Sequence, residues 1–247
     1  MRKILILVLS IAMGNAYGQG NTLYQVLFVT PKMGKAASYE RTWKTHQAKF
    51  HAKDDGRQVY EVMSGDNAGS FILVSGPTSY ADMDKEKANS AVHDADYDNT
   101  IIPFVEKNSG SYTYRWVDTL SYNGTVKAEK YVTTVYNLKQ GKGPDLVAEI
   151  KRAIKINGLI NSPSSYNTYI KLWAGSHPQI VTISNLKDGF KQLDLTYTPV
   201  NPAFKETYIK EYGQAQWDKR NTLLSEITES IDVYISKLRK DMSTAAK

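Results

Sequence analysis

Four histidines, His46, His51, His93 and His177, are the only imidazoles in a chain of 247 residues that has no cysteine. Imidazole is the side chain that exchanges a proton near neutrality and most often ligates a metal. The missing cysteines remove thiolate nucleophiles, disulfides, Cys-ligated zinc and iron–sulfur clusters from consideration. His46 falls in line with Tyr39, Trp43 and Phe50, at the spacing of one helix face, so it reads as a packed, hydrogen-bonded core histidine. His51 follows Phe50 at the end of the same helix, where partial positive charge suits the dipole. His93 lies in a polar segment, and His177 precedes Pro178 in a turn.

Two further sets of residues invite a chemical reading. Asp94-Ala95-Asp96-Tyr97-Asp98-Asn99 places carboxylates at the first, third and fifth positions of a calcium loop. Its sixth position is Asn99 rather than glycine, and its twelfth is Val105 where a bidentate glutamate is needed. An acidic, solvated helix start is the better description. Tyr112, Tyr114 and Trp116 alternate along one face of a strand, with Arg115 on the other face, and Tyr169 and Trp173 share a face of a second strand. Either set could wall a cavity whose hydroxyls orient a ligand, although aromatic residues are also ordinary strand-core material. No glycine-rich phosphate loop, Gly-x-Ser-x-Gly elbow or His-Glu-x-x-His pattern occurs.

The elements that hold these residues come twice. Tyr24-Gln25-Val26-Leu27-Phe28-Val29-Thr30 is strand-like and leads into Lys32, Gly34 and Lys35. Tyr131-Val132-Thr133-Thr134-Val135-Tyr136-Asn137 leads into Lys139, Gly141 and Lys142, at one ungapped offset. Each run precedes a helix: Tyr39, Trp43, His46 and Phe50 recur as Leu146, Ile150, Ala153 and Asn157. Pro144 opens the second helix and Gly158 closes it. Strands are expected over 57–64 and 71–75, then over 166–173 and 180–184, followed in each half by a helical stretch (from Ser79 and from Gly189) and a closing strand (111–120 and 231–238). The order β-α-β-β-α-β, twice, is that of the ferredoxin-like unit, a four-stranded sheet with its helices on one face. Packing the two sheets face to face would give a pseudo-dimeric α/β barrel. The second half carries an extra helical stretch from Asn201 to Glu229 that Gly213 interrupts. Asn123-Gly124-Thr125 matches a glycosylation acceptor, but a turn suffices to explain it.

Bulk properties set the outer limits. Arg2 and Lys3, the apolar run Ile4 to Met13 and the small residues Ala16 and Gly18 have the pattern of an export signal cleaved before Gln19. The expected organisation is a signal peptide over 1–18, a first unit over 19–122, a linker over 123–128, a second unit over 129–240 and a tail over 241–247. The protein is thus expected to be exported, with no membrane span. A formal charge of +6 without any lysine block, and a third strand without paired aromatics, argue against nucleic acid.

In element order and duplication the chain resembles the dimeric α/β-barrel superfamily, whose members include antibiotic-biosynthesis-monooxygenase-like, haem-degrading and chlorite-dismutase-like proteins. The resemblance implies a barrel cavity able to hold haem or a small aromatic compound. Haem would need an axial ligand, and the second half offers only His177, so histidine placement does not support it. The expectation is therefore an exported barrel that binds a small, apolar or aromatic ligand or a partner surface. The first alternative is an oxygen-using or haem-handling enzyme, and the second is an interaction protein with a filled barrel. The pocket candidates are Tyr112, Tyr114, Trp116, Tyr169 and Trp173, and self-association is permitted.

Overall fold

A computed structural model describes residues 22–51, 57–85, 90–173, 178–196 and 201–244. The expected signal peptide and His177 lie outside the described residues. Eight strands close into one antiparallel barrel: β1 (Leu23–Pro31), β2 (Arg57–Val62), β3 (Phe71–Thr78), β4 (Val105–Trp116), β5 (Lys130–Leu138), β6 (Tyr166–Lys171), β7 (Gln179–Asn185) and β8 (Thr228–Leu238). Around the cylinder they run β1-β3-β2-β8-β5-β7-β6-β4 and back to β1. The first four strands and the last four each occupy a contiguous arc. Within each arc the fourth strand lies beside the first, then the third, then the second.

Sheets stacked face to face would leave two open edges each. Here the arcs join edge to edge, so no strand keeps an unpaired side. Tyr60, Glu61 and Val62 of β2 pair with Leu238, Lys237 and Ser236 of β8. Tyr114, Arg115 and Trp116 of β4 pair with Lys171, Ile170 and Tyr169 of β6. The inner faces still oppose one another, but across a lumen.

Strand alternation divides the side chains between that lumen and the outer helices. On β1, Leu27 and Val29 point outward, where Val29 is buried with Val59, Phe71 and Leu73 against Tyr39 and Trp43 of helix α1 (Ala36–Phe50). Tyr24, Val26 and Phe28 point inward. A one-residue slip would exchange the two sets, so burial on both faces fixes the register. The second arc repeats the arrangement with Leu138 and Ile180 against Leu146 and Ile150 of α4 (Gly143–Leu159). Gly34 and Gly141 turn the chain into these helices with φ of +71° and +75°, a region open to glycine. The extra helices are α6 (Pro202–Tyr212), capped by Asn201 Oδ1 on the Ala203 amide at 3.0 Å, and α7 (Gln214–Ile227), separated by Gly213 at φ +83°. Short helices α2 (Tyr80–Met83), α3 (Ser90–Asp96) and α5 (Lys191–Thr196) complete the order.

Several elements depart from expectation. Strand β4 begins at Val105, six residues before Ser111, because Asn108 and Lys107 pair with Val29 and Thr30 of β1 beyond a bulge, and their polar side chains conceal the strand. Strand β6 stops at Lys171, short of Trp173. Gly158 lies inside α4 rather than beyond its end. The calcium-like acidic run is the end of α3 and a π-helical turn over Tyr97–Ile101, so its carboxylates do not converge. Residues 241–244 are no free tail: Met242 is buried in the first arc's outer core, and the Ser243 hydroxyl accepts from the Val59 amide at 2.9 Å.

Candidate functional site

Inward-facing side chains from all eight strands enclose a cavity of about 540 Å³. Its walls carry Val26, Ile72, Val74, Val135, Val181 and Ile183, and between them stands a set of tyrosines. Aromatic rings meet edge to face between strands that are not hydrogen-bonded neighbours: Tyr24 of β1 with Tyr169 of β6 at 5.7 Å, Tyr60 of β2 with Tyr131 of β5 at 5.4 Å and Phe28 of β1 with Tyr234 of β8 at 6.3 Å. This geometry places the positive ring edge on the negative face. The wall is thus rigid, aromatic and dotted with phenol groups.

Those phenols are neutral donors rather than bases. Burial away from water pushes Tyr60, Tyr114 and Tyr169 well above the usual phenol range, and pushes Tyr234 up to about 12. Tyr114 Oη donates to Gln179 Oε1 at 2.7 Å, and Gln179 Nε2 donates to Asn137 Oδ1 at 2.7 Å. Asn137 Nδ2 in turn donates to Asp232 Oδ2 at 2.9 Å. This chain leads from mid-lumen to the end of the barrel where β5 finishes, and it ends on Asp232, the one carboxylate among the described lining residues. At the same end Lys171 Nζ sits 3.7 Å over the Tyr112 ring, and desolvation lowers the pKa of its ammonium.

The opposite end is crossed by the connection between the two arcs. Gly124, Thr125, Val126 and Lys127 line the cavity there. Asn167 Nδ2 donates to the Gly124 carbonyl at 2.9 Å, and Ser165 Oγ donates to the Asn123 carbonyl at 2.7 Å. Asn123 itself adopts φ +48°, as a turn asparagine can. The expected linker is a strap held on the barrel mouth.

Of the five residues singled out by sequence, Tyr112, Tyr114 and Tyr169 line this cavity. Trp116 is one step removed: its Nε1 donates to Asn167 Oδ1 at 3.0 Å and so steadies the strap. Trp173 lies outside, 73% exposed, with its ring edge-on to Tyr80 at 5.9 Å. The chain turns at Trp173 with φ +49°, which breaks the alternation that grouped it with Tyr169. Tyr24, Tyr60, Tyr131 and Tyr234 escaped sequence reasoning. Each belongs to an alternating strand, but on strands buried on both faces the pattern does not tell lumen from outer core.

A second cavity, about 290 Å³, lies under α4 and α7 on the outer face of the second arc. Glu149, buried there, forms an ion pair with Arg220 Nε at 2.8 Å and accepts hydrogen bonds from Arg152 Nη1 at 3.1 Å and from the Tyr208 hydroxyl at 2.8 Å. Its charge is compensated within the fold. A different cluster joins His46, His51 and His93 between the end of α1 and α3, outside the barrel. His46 is a buried core histidine as expected, with Nδ1 2.8 Å from Asp96 Oδ2. The convergence of the other two on it had no local sequence signal, since His93 arrives from a separate helix.

No protein-family model matches the sequence, and no curated protein matches it. Solved structures do share the fold. A protein of Fusobacterium nucleatum, provisionally described as a monooxygenase, superposes with a TM-score of 0.57 at 14% identity, covering 90% of this chain and 94% of its own. An anthrone oxidase-like protein gives 0.57 at 9% identity, covering 93% of this chain and 98% of its own. The chlorite dismutase of Candidatus Nitrospira defluvii gives 0.51 at 8% identity, covering 90% and 92%. These proteins share with this chain the closed α/β barrel that the element order suggested. Among the described residues no histidine lines either cavity, so the axial imidazole that haem commonly takes is not supplied there. Among the described residues no helix is long and apolar enough to cross a membrane.

Proposed function

We propose that the lumen binds a small, largely apolar aromatic compound and that the protein acts on it as an oxygen-using enzyme. The observation that carries this reading is the 540 Å³ tyrosine-walled cavity with a single lining carboxylate among the described residues. Valine and isoleucine walls accept an apolar ring system, edge-to-face tyrosines orient it, and the Tyr114–Gln179–Asn137–Asp232 chain supplies polar contacts at one end. A hydroquinone-type compound would give up two protons and two electrons and become a quinone while dioxygen becomes hydrogen peroxide; an anthrone's methylene carbon would take one oxygen atom of dioxygen and become a carbonyl, the other atom leaving as water. Asp232, at the rim of the lumen, is the proposed base for the first proton. The likeness to an anthrone oxidase-like protein supports the class of chemistry only through the shared fold.

The test is twofold. Binding of anthrone and hydroquinone probes is followed by quenching of tyrosine and tryptophan emission, and oxygen uptake is followed with an electrode. Saturable binding with uptake that falls at least tenfold in Asp232→Asn is expected. Absence of binding sinks the lumen as a site, whereas binding without uptake leaves a carrier. The carrier is the second reading, favoured by the lack of any lining histidine among the described residues.

Two structural readings accompany this one. The arcs are proposed to be tandem ferredoxin-like units over 19–122 and 129–240, supported by their common strand order and by the matched turns at Gly34 and Gly141. Export after cleavage before Gln19 is proposed from the basic, apolar and small-residue pattern. Intact mass of protein recovered outside the cytoplasm decides it, and a retained Met1 would count against cleavage.

A further inference from the structure

The histidine cluster outside the barrel has no part in the lumen chemistry, and its geometry asks for a different occupant. His46 comes from the third turn of α1, His51 closes that helix with its amide on the Gln47 carbonyl at 2.9 Å, and His93 projects from α3. His46 and His51 are 1% and 5% exposed, and His93 is half-buried. One ring nitrogen from each lies within 4.8 Å of the other two. The rings meet at 53–80° rather than stacking, so their nitrogen edges converge.

Hydrogen bonding settles which nitrogens converge. Asp96 Oδ2 engages His46 Nδ1 at 2.8 Å, and Asp94 Oδ1 engages His93 Nδ1 at 2.8 Å. Both rings therefore turn Nε2 inward. His46 Nε2 is buried and has no hydrogen-bond partner among the described residues. A buried polar nitrogen left that way is costly in a packed interior. His93 Nε2 and His51 Nε2 stand 3.2 Å apart. Two ligand nitrogens about 2.0–2.1 Å from one tetrahedral ion stand about 3.3–3.4 Å apart. That pair is already at ligand spacing, and His46, within 4.8 Å of both, must draw closer to join it.

We propose that His46, His51 and His93 form a site for one divalent transition-metal ion of the zinc type, bound through three Nε2 atoms, with Asp96 and Asp94 orienting two of the rings. A carboxylate behind a ligating imidazole is the usual outer-shell support, fixing the tautomer and raising basicity. Three nitrogen ligands leave a fourth position for water. Among the described residues, the cations facing the site include Lys49, which pairs with Asp96 Oδ1 at 2.7 Å, and Arg57, whose Nη1 lies 3.2 Å from His51 Nε2. Arg57 must swing aside when the ion binds. Lys49 leaves the carboxylate's other oxygen on His46 undisturbed.

Zinc titrated into chelator-stripped protein against a chromogenic competitor tests the site. One equivalent bound with a submicromolar dissociation constant is expected. Cobalt substituted for zinc should show the intense visible bands of a four-coordinate ion. His93→Ala, at the most exposed of the three ligands, should weaken binding at least 100-fold, and Asp96→Asn about 10–100-fold, the usual effect of losing outer-shell support. His177→Ala should change nothing. If His93→Ala fails to fold by circular dichroism, His93→Gln provides the same comparison. Binding only at millimolar zinc, or one tight equivalent that survives loss of His93, overturns the proposal. Neither outcome bears on the lumen, because oxygen uptake and probe binding are read separately.

Discussion

Trp43 Nε1 donates to the Met242 carbonyl at 3.1 Å, so helix α1 is bonded to the short helical turn Lys240–Met242 that follows β8. Both side chains are at most 1% exposed in one core. Trp43→Ala is expected to cost about 3–5 kcal/mol and Met242→Ala about 2–5 kcal/mol, the range for large buried residues. Ile150→Ala, in the equivalent place on α4, should fall in the same 2–5 kcal/mol range. Urea denaturation followed by far-ultraviolet dichroism and by tryptophan emission measures each. One transition common to both probes is expected, because neither arc closes without the other. Two separated transitions would show the arcs to be independent.

Gly124 marks the strap's tightest contact. A Cβ added there would lie 2.2 Å from Asn167 Oδ1, the atom that accepts from Trp116. Gly124→Ala should therefore displace Asn167 and destabilise the fold by about 1–3 kcal/mol, as overpacking does. Trp116→Phe, which removes the indole donor together with part of the ring, should cost about 0.5–1.5 kcal/mol for the hydrogen bond and a further packing loss. A calorimetric scan of both variants would find Gly124→Ala the less stable if the strap is as tightly held as the distances state.

The lumen phenols govern the alkaline limit of stability. The Tyr234 pKa is raised from 10.0 to about 12, and desolvation raises Tyr60, Tyr114 and Tyr169 in the same direction. The folded state thus holds these protons more tightly than the unfolded chain. Stability is fully present below about pH 10 and is lost as pH rises through the folded values, from about 10 towards 12 and beyond. Urea midpoints measured from pH 8 upward should be flat and then fall, and the phenolate absorbance of these residues should appear together with unfolding. Ionisation of every tyrosine below that limit, with the fold intact, would contradict the buried lumen.

Filling the cavity should separate binding from folding. Val135→Phe projects a ring in place of an isopropyl group into open lumen from β5. Its stability is expected to stay within about 1.5 kcal/mol of the parent, since the site has room. Affinity for aromatic probes should drop at least tenfold. Unchanged affinity would place the ligand elsewhere.

Much of the architecture was legible because it rests on local pattern. Tyr39, Trp43 and His46 declare a helix face, and Pro144, Gly213 and the alternating runs from Tyr24 and Tyr131 punctuate the rest. The site was legible only in part. Tyr112, Tyr114 and Tyr169 were found from alternation alone, which also swept in Trp173, where a positive φ ends the strand's geometry. Closure through β2–β8 and β4–β6, and the meeting of His93 with His46, depend on contacts distant in sequence. Asp96 shows the limit well: read in sequence it is one of a solvated acidic run, and in the fold it holds a buried imidazole.

The cylinder has two seams, and they are short. Three residue pairs join β2 to β8 and three join β4 to β6, whereas β5 and β8 share nine. A hoop fastened at two brief overlaps opens there first, since local opening follows the density of bonds to be broken. Amide exchange should accordingly run faster at Glu61, Lys237 and Ile170 than at Thr133. The same overlaps define how two molecules could trade arcs: parting both seams frees a whole arc, and its edges would fit a neighbour's as well as their own.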